Sequence, residues 1–189
     1  MDENLTGLRL YEAGWQFPPS DTPYSVGQIW DLAYTPRPKP VPPHVEDVAV
    51  AKRKYLRKQT DLASRLRPRV QLWQGNPTVL FDGMLHFTGQ MHGYVERPNV
   101  PDRSTGFWLP ADNLQLVSVE GKPYYRCVEG KLCYRHWVCD LKYVGVTKPV
   151  DTLSGGTLVR VSLARWWRPS DAPDDLPERC YLQLSGWYL

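Results

Sequence analysis

From Thr157 onward the chain reads as two strands around one loop, and no other stretch narrows the fold as much. Thr157, Val159, Val161 and Leu163 alternate with Leu158, Arg160, Ser162 and Ala164. That is the period-two signature of a pleated strand, whose successive side chains point to opposite faces. A polar, acidic loop then leads into Glu178-Arg179-Cys180-Tyr181-Leu182-Gln183-Leu184. Ser185-Gly186 predicts a bend or bulge there, because a glycine inside a strand marks a bulge or a close backbone approach. Termini fray unless a sheet holds them, so a run ending Trp187-Tyr188-Leu189 predicts a last strand locked into a core. The second half is therefore expected to be a small closed β unit.

The rest of the chain is punctuated by 18 prolines and 14 glycines, and 8 Trp, 11 Tyr and 4 Phe supply bulky strand formers. Such a composition, without long apolar helical stretches, predicts a mostly β fold. Hydrophobic content of 42% with 23% charged residues argues against wholesale disorder. No run approaches the roughly 20 apolar residues a membrane span requires, so no membrane partner is expected. Met1-Asp2-Glu3-Asn4 is acidic and no apolar stretch follows, so the expected location is cytoplasmic. Cys127, Cys133, Cys139 and Cys180 are then expected to be reduced thiols.

Strands are expected within Leu5 to Trp15 and Val26 to Thr35, followed by an extended polyproline segment from Pro36 to Pro43. A helix is expected over about 46–66. Val48, Ala51, Tyr55, Leu62 and Leu66 recur at steps of three, four and seven, Glu46 and Asp47 suit its N-terminal dipole, and Pro68 ends it. Strands resume at Arg69 to Trp73 and Thr78 to Thr88, the latter turning at Asp82-Gly83, and further hairpins follow, one across Glu129-Gly130. A boundary near Glu120-Gly121 divides the chain into 1–119 and 120–189. The expected architecture is thus mostly β: two tandem small OB-like β barrels with one amphipathic basic helix.

The net charge of +3 conceals a local field. Lys52 to Arg69 holds eight basic residues against the single acid Asp61, and the remainder of the chain is mildly acidic. Lys52, Arg53, Lys54, Arg57, Lys58 and Arg65 form a candidate surface for phosphates, which gives salt-sensitive, largely sequence-independent binding. The rival readings are a docking face for an acidic protein and a solvated helix face. Arg165, Trp166 and Arg168 form a second candidate surface, where aromatic rings stack bases while cations meet phosphates. Strand alternation predicts that Trp166 and Trp167 divide, one buried and one half-exposed.

Other chemistry is thinly supported. His44, Glu46 and Asp47 lie close in sequence, but no distant ligand supports them as a metal set, and a helix start explains them. Cys127, Cys133 and Cys139 recur every six residues without the CxxC pairs of a zinc ribbon, so buried apolar cysteines are expected. His86 and His92 carry equally weak ligand signals. No phosphate loop, nucleophile elbow, HExxH or GxGxxG motif occurs, so neither a cofactor nor a metal is expected and no catalytic residue is assigned.

Val26-Gly27-Gln28-Ile29-Trp30-Asp31, Pro43-His44-Val45-Glu46-Asp47 and Phe107-Trp108-Leu109-Pro110 together resemble the dual OB-containing domain family of prokaryotes. Gly156 to Ala164 and Gln183 to Tyr188 add to the resemblance, which spans nearly the whole chain. The family pattern carries a longer lead strand with cysteine and glycine, which this sequence does not show. The resemblance implies two tandem OB-like barrels, no established catalysis, and a nucleic-acid-sensing or -binding role in bacterial defence and conflict systems. The expected function is a non-enzymatic nucleic-acid-binding or recognition subunit, with DNA or RNA and a larger protein assembly as partners. The alternative is a structural adaptor that docks an acidic protein through its basic helix.

Overall fold

A computed structural model describes residues 7–16, 22–89, 91–128 and 138–189. The chain opens with β1 (Arg9–Tyr11), β2 (Gln28–Pro36) and β3 (Asp47–Lys58), then a short helix α1 (Leu62–Leu66). It continues through β4 (Leu72–Gly75), β5 (His86–Phe87), β6 (Gly93–Glu96), β7 (Thr105–Pro110) and β8 (Leu114–Val119). β9 (Lys122–Val128), β10 (Val138–Tyr143), β11 (Thr152–Leu153), β12 (Leu158–Leu163) and β13 (Arg179–Tyr188) complete it.

The protein is mostly β, in two sheets. A three-stranded sheet runs β1-β3-β2, and a larger sheet runs β11-β8-β9-β10-β13-β12-β7-β4, with β6 and β5 attached to β13. The core lies on one face of the larger sheet, where Trp108, Tyr125, Leu114, Leu141, Val159, Val161 and Leu184 are fully buried. The alternating segment is a strand as predicted, β12, and it sits between β7 and β13. Its register with β13 slips between Arg160 and Val161, leaving Ser185 as the extra residue of a bulge beside Gly186. Trp187 packs on the core and lies 5.3 Å from the Tyr143 ring, so the last strand is tied down as expected.

The helix expected over about 46–66 is largely a strand. Asp47–Lys58 is β3, and only Leu62–Leu66 is helical, with Asp61 accepting the Ser64 amide at 3.1 Å as its cap. Nine residue pairs join β3 to β2, and Val48 and Val50 are buried on one face. A ladder with β-branched anchors outcompetes a helix whose nucleus is costly and whose stripe is thin. The hairpin expected at Asp82-Gly83 is also replaced: Pro77–Gly83 is 3-10 turn, and Phe81 and Asp82 adopt left-handed φ of 51° and 58°. Asp82 is held there by accepting the Trp73 indole N–H at 2.9 Å.

Glu120-Gly121, where the division into 1–119 and 120–189 was expected, is the turn of the β8–β9 hairpin. One continuous ladder crosses that turn. Cys127 and Cys139 face each other across β9 and β10 and are buried, as is Cys180. Cys133 and the Glu129-Gly130 turn lie outside the described residues.

Candidate nucleic-acid interface

β2 and β3 form an arm. Every residue from Ala51 to Lys58 is exposed, whereas the first residues of β3 are buried against the body. Two register slips shape the exposed half: Ala33 pairs with Lys52 but Tyr34 with Val50, and Ile29 pairs with Arg57 but Trp30 with Tyr55. Ala51 and Leu56 are therefore extra residues, and each bulge resets the alternation. Directly opposed residues share a face. Lys52, Lys54 and Arg57 consequently lie on one face with Ala33, Asp31 and Ile29, while Arg53, Tyr55 and Lys58 lie on the other with Leu32, Trp30 and Gln28.

The second face is internally engaged. Tyr24, Trp30 and Tyr55 form successive edge-to-face pairs with centroids 5.3 and 5.4 Å apart. Such pairs contribute ~0.5–1.5 kcal/mol each beyond burial and stiffen the arm. Arg53 donates to Glu12 at 2.8 Å and lies 5.7 Å from the Tyr24 ring. Among the described residues, Lys52, Lys54, Arg57 and Lys58 form no ion pair. At the distal end, Gly27 at φ +88° lets the Gln59 amide reach its carbonyl at 2.7 Å, where a β-carbon would collide with the Gln59 oxygen. Arg65 follows on α1, exposed, with its carbonyl accepting from Arg69 at 2.9 Å.

The Arg165–Arg168 segment is disposed differently. Arg165 makes two bonds of 2.9 and 2.8 Å to the fully buried carboxylate of Asp47, and its guanidinium lies 5.5 Å from the Tyr11 ring. The Trp166 indole donates to the Pro42 carbonyl at 3.0 Å, its ring packs on the core, and Arg97 sits 4.7 Å above it. Arg168 is exposed and donates to the Asp174 carbonyl at 2.9 Å. Trp167 is half-exposed, at 53%, whereas Trp166 is only partly buried, so the pair does not divide into one buried and one half-exposed ring as expected.

Trp167 belongs to a surface that the sequence reading did not assemble. A cleft of about 480 Å³ is lined by His92, Lys122, Tyr124, Lys142, Trp167 and Tyr181. Lys142 sits in register between Tyr124 of β9 and Gln183 of β13, so these side chains share the sheet face opposite the core. Trp167 meets Tyr181 edge-on at 6.0 Å, and His92 lies 5.6 Å from Tyr124. Burial, then the nearby Glu120 and Asp140, push the Tyr124 phenol above its ordinary range, which keeps it neutral at pH 7. Aromatic faces flanked by two lysines can stack bases and meet phosphates. The available signal was the alternation in Lys122-Pro123-Tyr124-Tyr125-Arg126-Cys127, which puts Lys122, Tyr124 and Arg126 on one face.

His44, Glu46 and Asp47 do not start a helix; all three are buried. His44 Nδ1 lies 3.2 Å from Arg9, and its Nε2 lies 3.8 Å from Cys180 Sγ. Burial first, then Arg9, lowers the imidazole to about 4, and burial pushes the Cys180 thiol up to about 12. The pair is a neutral imidazole beside a neutral thiol, sealed from solvent, which is packing rather than an activated nucleophile. Among the described residues, no three or more His, Cys, Asp or Glu side chains are grouped to hold a metal ion. No helix among them is long and apolar enough to cross a membrane.

No curated protein and no solved structure matches the chain. The family model of the dual OB-containing domain matches residues 9–187, which includes the arm, the sheet-face cleft and the buried ion pair that joins the two sheets. The chain belongs to the dual OB-containing domain family.

Proposed function

We infer that this protein binds single-stranded nucleic acid, DNA or RNA, without catalysing a reaction on it. The observation that carries this reading is the sheet face that Trp167, Tyr124 and Tyr181 share with Lys122 and Lys142. Aromatic rings accept any base by stacking, and nearby cations track the backbone, so the surface suits a strand whose bases are unpaired. The face of the arm bearing Lys52, Lys54 and Arg57 adds sequence-independent attraction for phosphates. OB-like domains commonly bind nucleic acids, which supports the same reading.

Anisotropy titration with labelled single-stranded DNA and RNA at about 50 mM salt tests it. Micromolar or tighter binding that weakens steeply with salt is expected. Loss of affinity in Trp167→Ala and Tyr181→Ala, with folding intact, is expected as well. No binding to either strand under these conditions sinks the reading.

A second reading rests on Leu56 and Tyr55, which are 51% and 48% exposed among the cations of the arm. An apolar side chain beside basic ones suits docking on an acidic protein, and the arm then serves as an adaptor. Service as a recognition subunit of a prokaryotic defence assembly, within the cytoplasm, extends the proposal. Its support is the family resemblance. Native purification with identification of co-purifying proteins and nucleic acid tests both extensions, and isolation without either removes them.

A further inference from the structure

Beyond Val50 the small sheet narrows to two strands. β1 pairs with β3 only at Asp47, Val48 and Ala49, and among the described residues the remainder of β3 pairs with β2 alone. β2 likewise pairs only with β3, so this half of the arm is a two-stranded ribbon with two free edges. At about 3.3 Å per residue, less the two bulges, residues 51–58 reach roughly 20 Å. Two-stranded ribbons twist more strongly than wide sheets, and each bulge adds to the right-handed twist. The exposed half of the arm is therefore a narrow, twisted ribbon rather than a flat surface.

Its chemistry is one-sided. Five of the eight residues from 51 to 58 are cationic, and Asp31 is the single acid in the stretch of β2 that pairs with them. Lys52, Lys54 and Arg57 share their face with Ala33, Asp31 and Ile29, and all six are exposed. Like charges side by side on one face repel, a cost that a polyanion lying along it offsets. The face is also chemically mixed in the way a reader of base edges requires. Lysine and arginine suit guanine O6 and N7, a carboxylate accepts from the cytosine amine, and small or apolar side chains meet the thymine methyl. The free edges add backbone amides, which are donors for phosphate oxygens on either side.

The polyanion that fits such a ribbon has a groove of matching width. The major groove of B-form DNA, about 12 Å wide, admits a two-stranded ribbon, whereas the A-form major groove is too narrow for side chains to read. We propose that the arm enters the major groove of duplex DNA, with Lys52, Lys54 and Arg57 on the face turned to the base edges and the ribbon edges along the flanking phosphates. A duplex offers no unpaired base to the sheet-face cleft, so the arm is a second site that stands whether or not the cleft binds a strand.

Anisotropy titration of the full chain with a blunt DNA duplex of about two helical turns, an RNA duplex of the same sequence and a single strand tests the proposal. The DNA duplex is expected to bind at least about tenfold more tightly than the RNA duplex, which carries as many phosphates but a closed major groove. A Lys52→Ala, Lys54→Ala, Arg57→Ala variant is expected to lose at least about tenfold in affinity for the DNA duplex. Dimethyl sulfate footprinting supplies a second readout on the wild type, because the reagent attacks guanine N7 in the major groove, and protection of N7 is expected at saturating protein. If the variant fails to fold, as read by thermal unfolding, the two wild-type measurements decide. Equal affinity for the RNA duplex, unaltered N7 reactivity at saturation or unchanged DNA binding by the folded variant overturns the proposal. Single-strand binding without duplex binding also overturns it and leaves the sheet-face reading standing. Duplex binding without single-strand binding supports the arm and removes that reading instead.

Discussion

The exposed half of β3 and the segment after β12 are both rich in arginine, and the fold uses them in opposite ways. Arg165 is committed to a buried carboxylate, where its two short bonds to Asp47 join the large sheet to the small one. Lys52, Lys54 and Arg57 stand in solvent on one face of the arm without an ion pair among the described residues. A cationic segment is a binding surface only after its internal counter-ions have been counted. By that criterion the arm is available for phosphates, and Arg165 and Trp166 hold the molecule together.

The largest expected effect falls on the inward side of this contrast. Asp47→Ala leaves Arg165 and Arg37 facing an empty buried site, and breaking such a pair costs about 3–5 kcal/mol. Urea unfolding measures it, and a loss below about 1 kcal/mol means that Arg165 is not structurally committed. His44 gives the next effect. Its folded value of about 4 lies below the ordinary 6.5, so the unfolded chain takes up a proton first as the pH falls. The stability tied to neutral His44 is complete above pH 6.5 and is lost as the pH drops toward 4, by about 3 kcal/mol. Asp47 and Cys180 share this environment, so the test is the difference between wild type and His44→Gln. The variant should show a flatter pH profile across that window, and parallel profiles contradict the assignment.

The outward side predicts changes in binding instead. Trp167→Ala should weaken single-strand binding by ~1–3 kcal/mol while leaving the unfolding midpoint nearly unchanged. Trp166→Ala should do the reverse, because its indole supports Pro42 and packs on the core. If the two variants behave alike, the sheet-face assignment fails. The smallest effect is Lys54→Ala, whose stability should remain within about 0.5 kcal/mol of wild type by urea unfolding.

Period-two alternation was legible wherever a strand had one buried face, as in β12 and β13, and so was the bulge at Ser185-Gly186. The arm was misread because the two bulges at Ala51 and Leu56 break its alternation, and Ala51, Tyr55, Leu62 and Leu66 imitate a helical stripe. Basic residues at Lys52, Lys54 and Arg57 were recognisable from composition, but their shared face depends on cross-strand register. The sheet-face cleft joins Trp167 to Tyr124 and Lys142 through pairings between distant segments, which local spacing does not encode. Glu46 and Asp47 looked like helix-dipole acids because their partners, Ser104 and Arg165, lie far along the chain.

The most direct test of the account is the salt dependence of single-strand binding by wild type and by a Lys52→Ala, Lys54→Ala, Arg57→Ala variant. Each neutralised phosphate contributes about 0.7 to the log–log slope for a single strand, so the triple variant should lose about 2 from the slope and keep the wild-type unfolding midpoint. An unchanged slope in a folded triple variant would contradict the claim that the arm, unlike the Arg165 segment, keeps its charge free for phosphates.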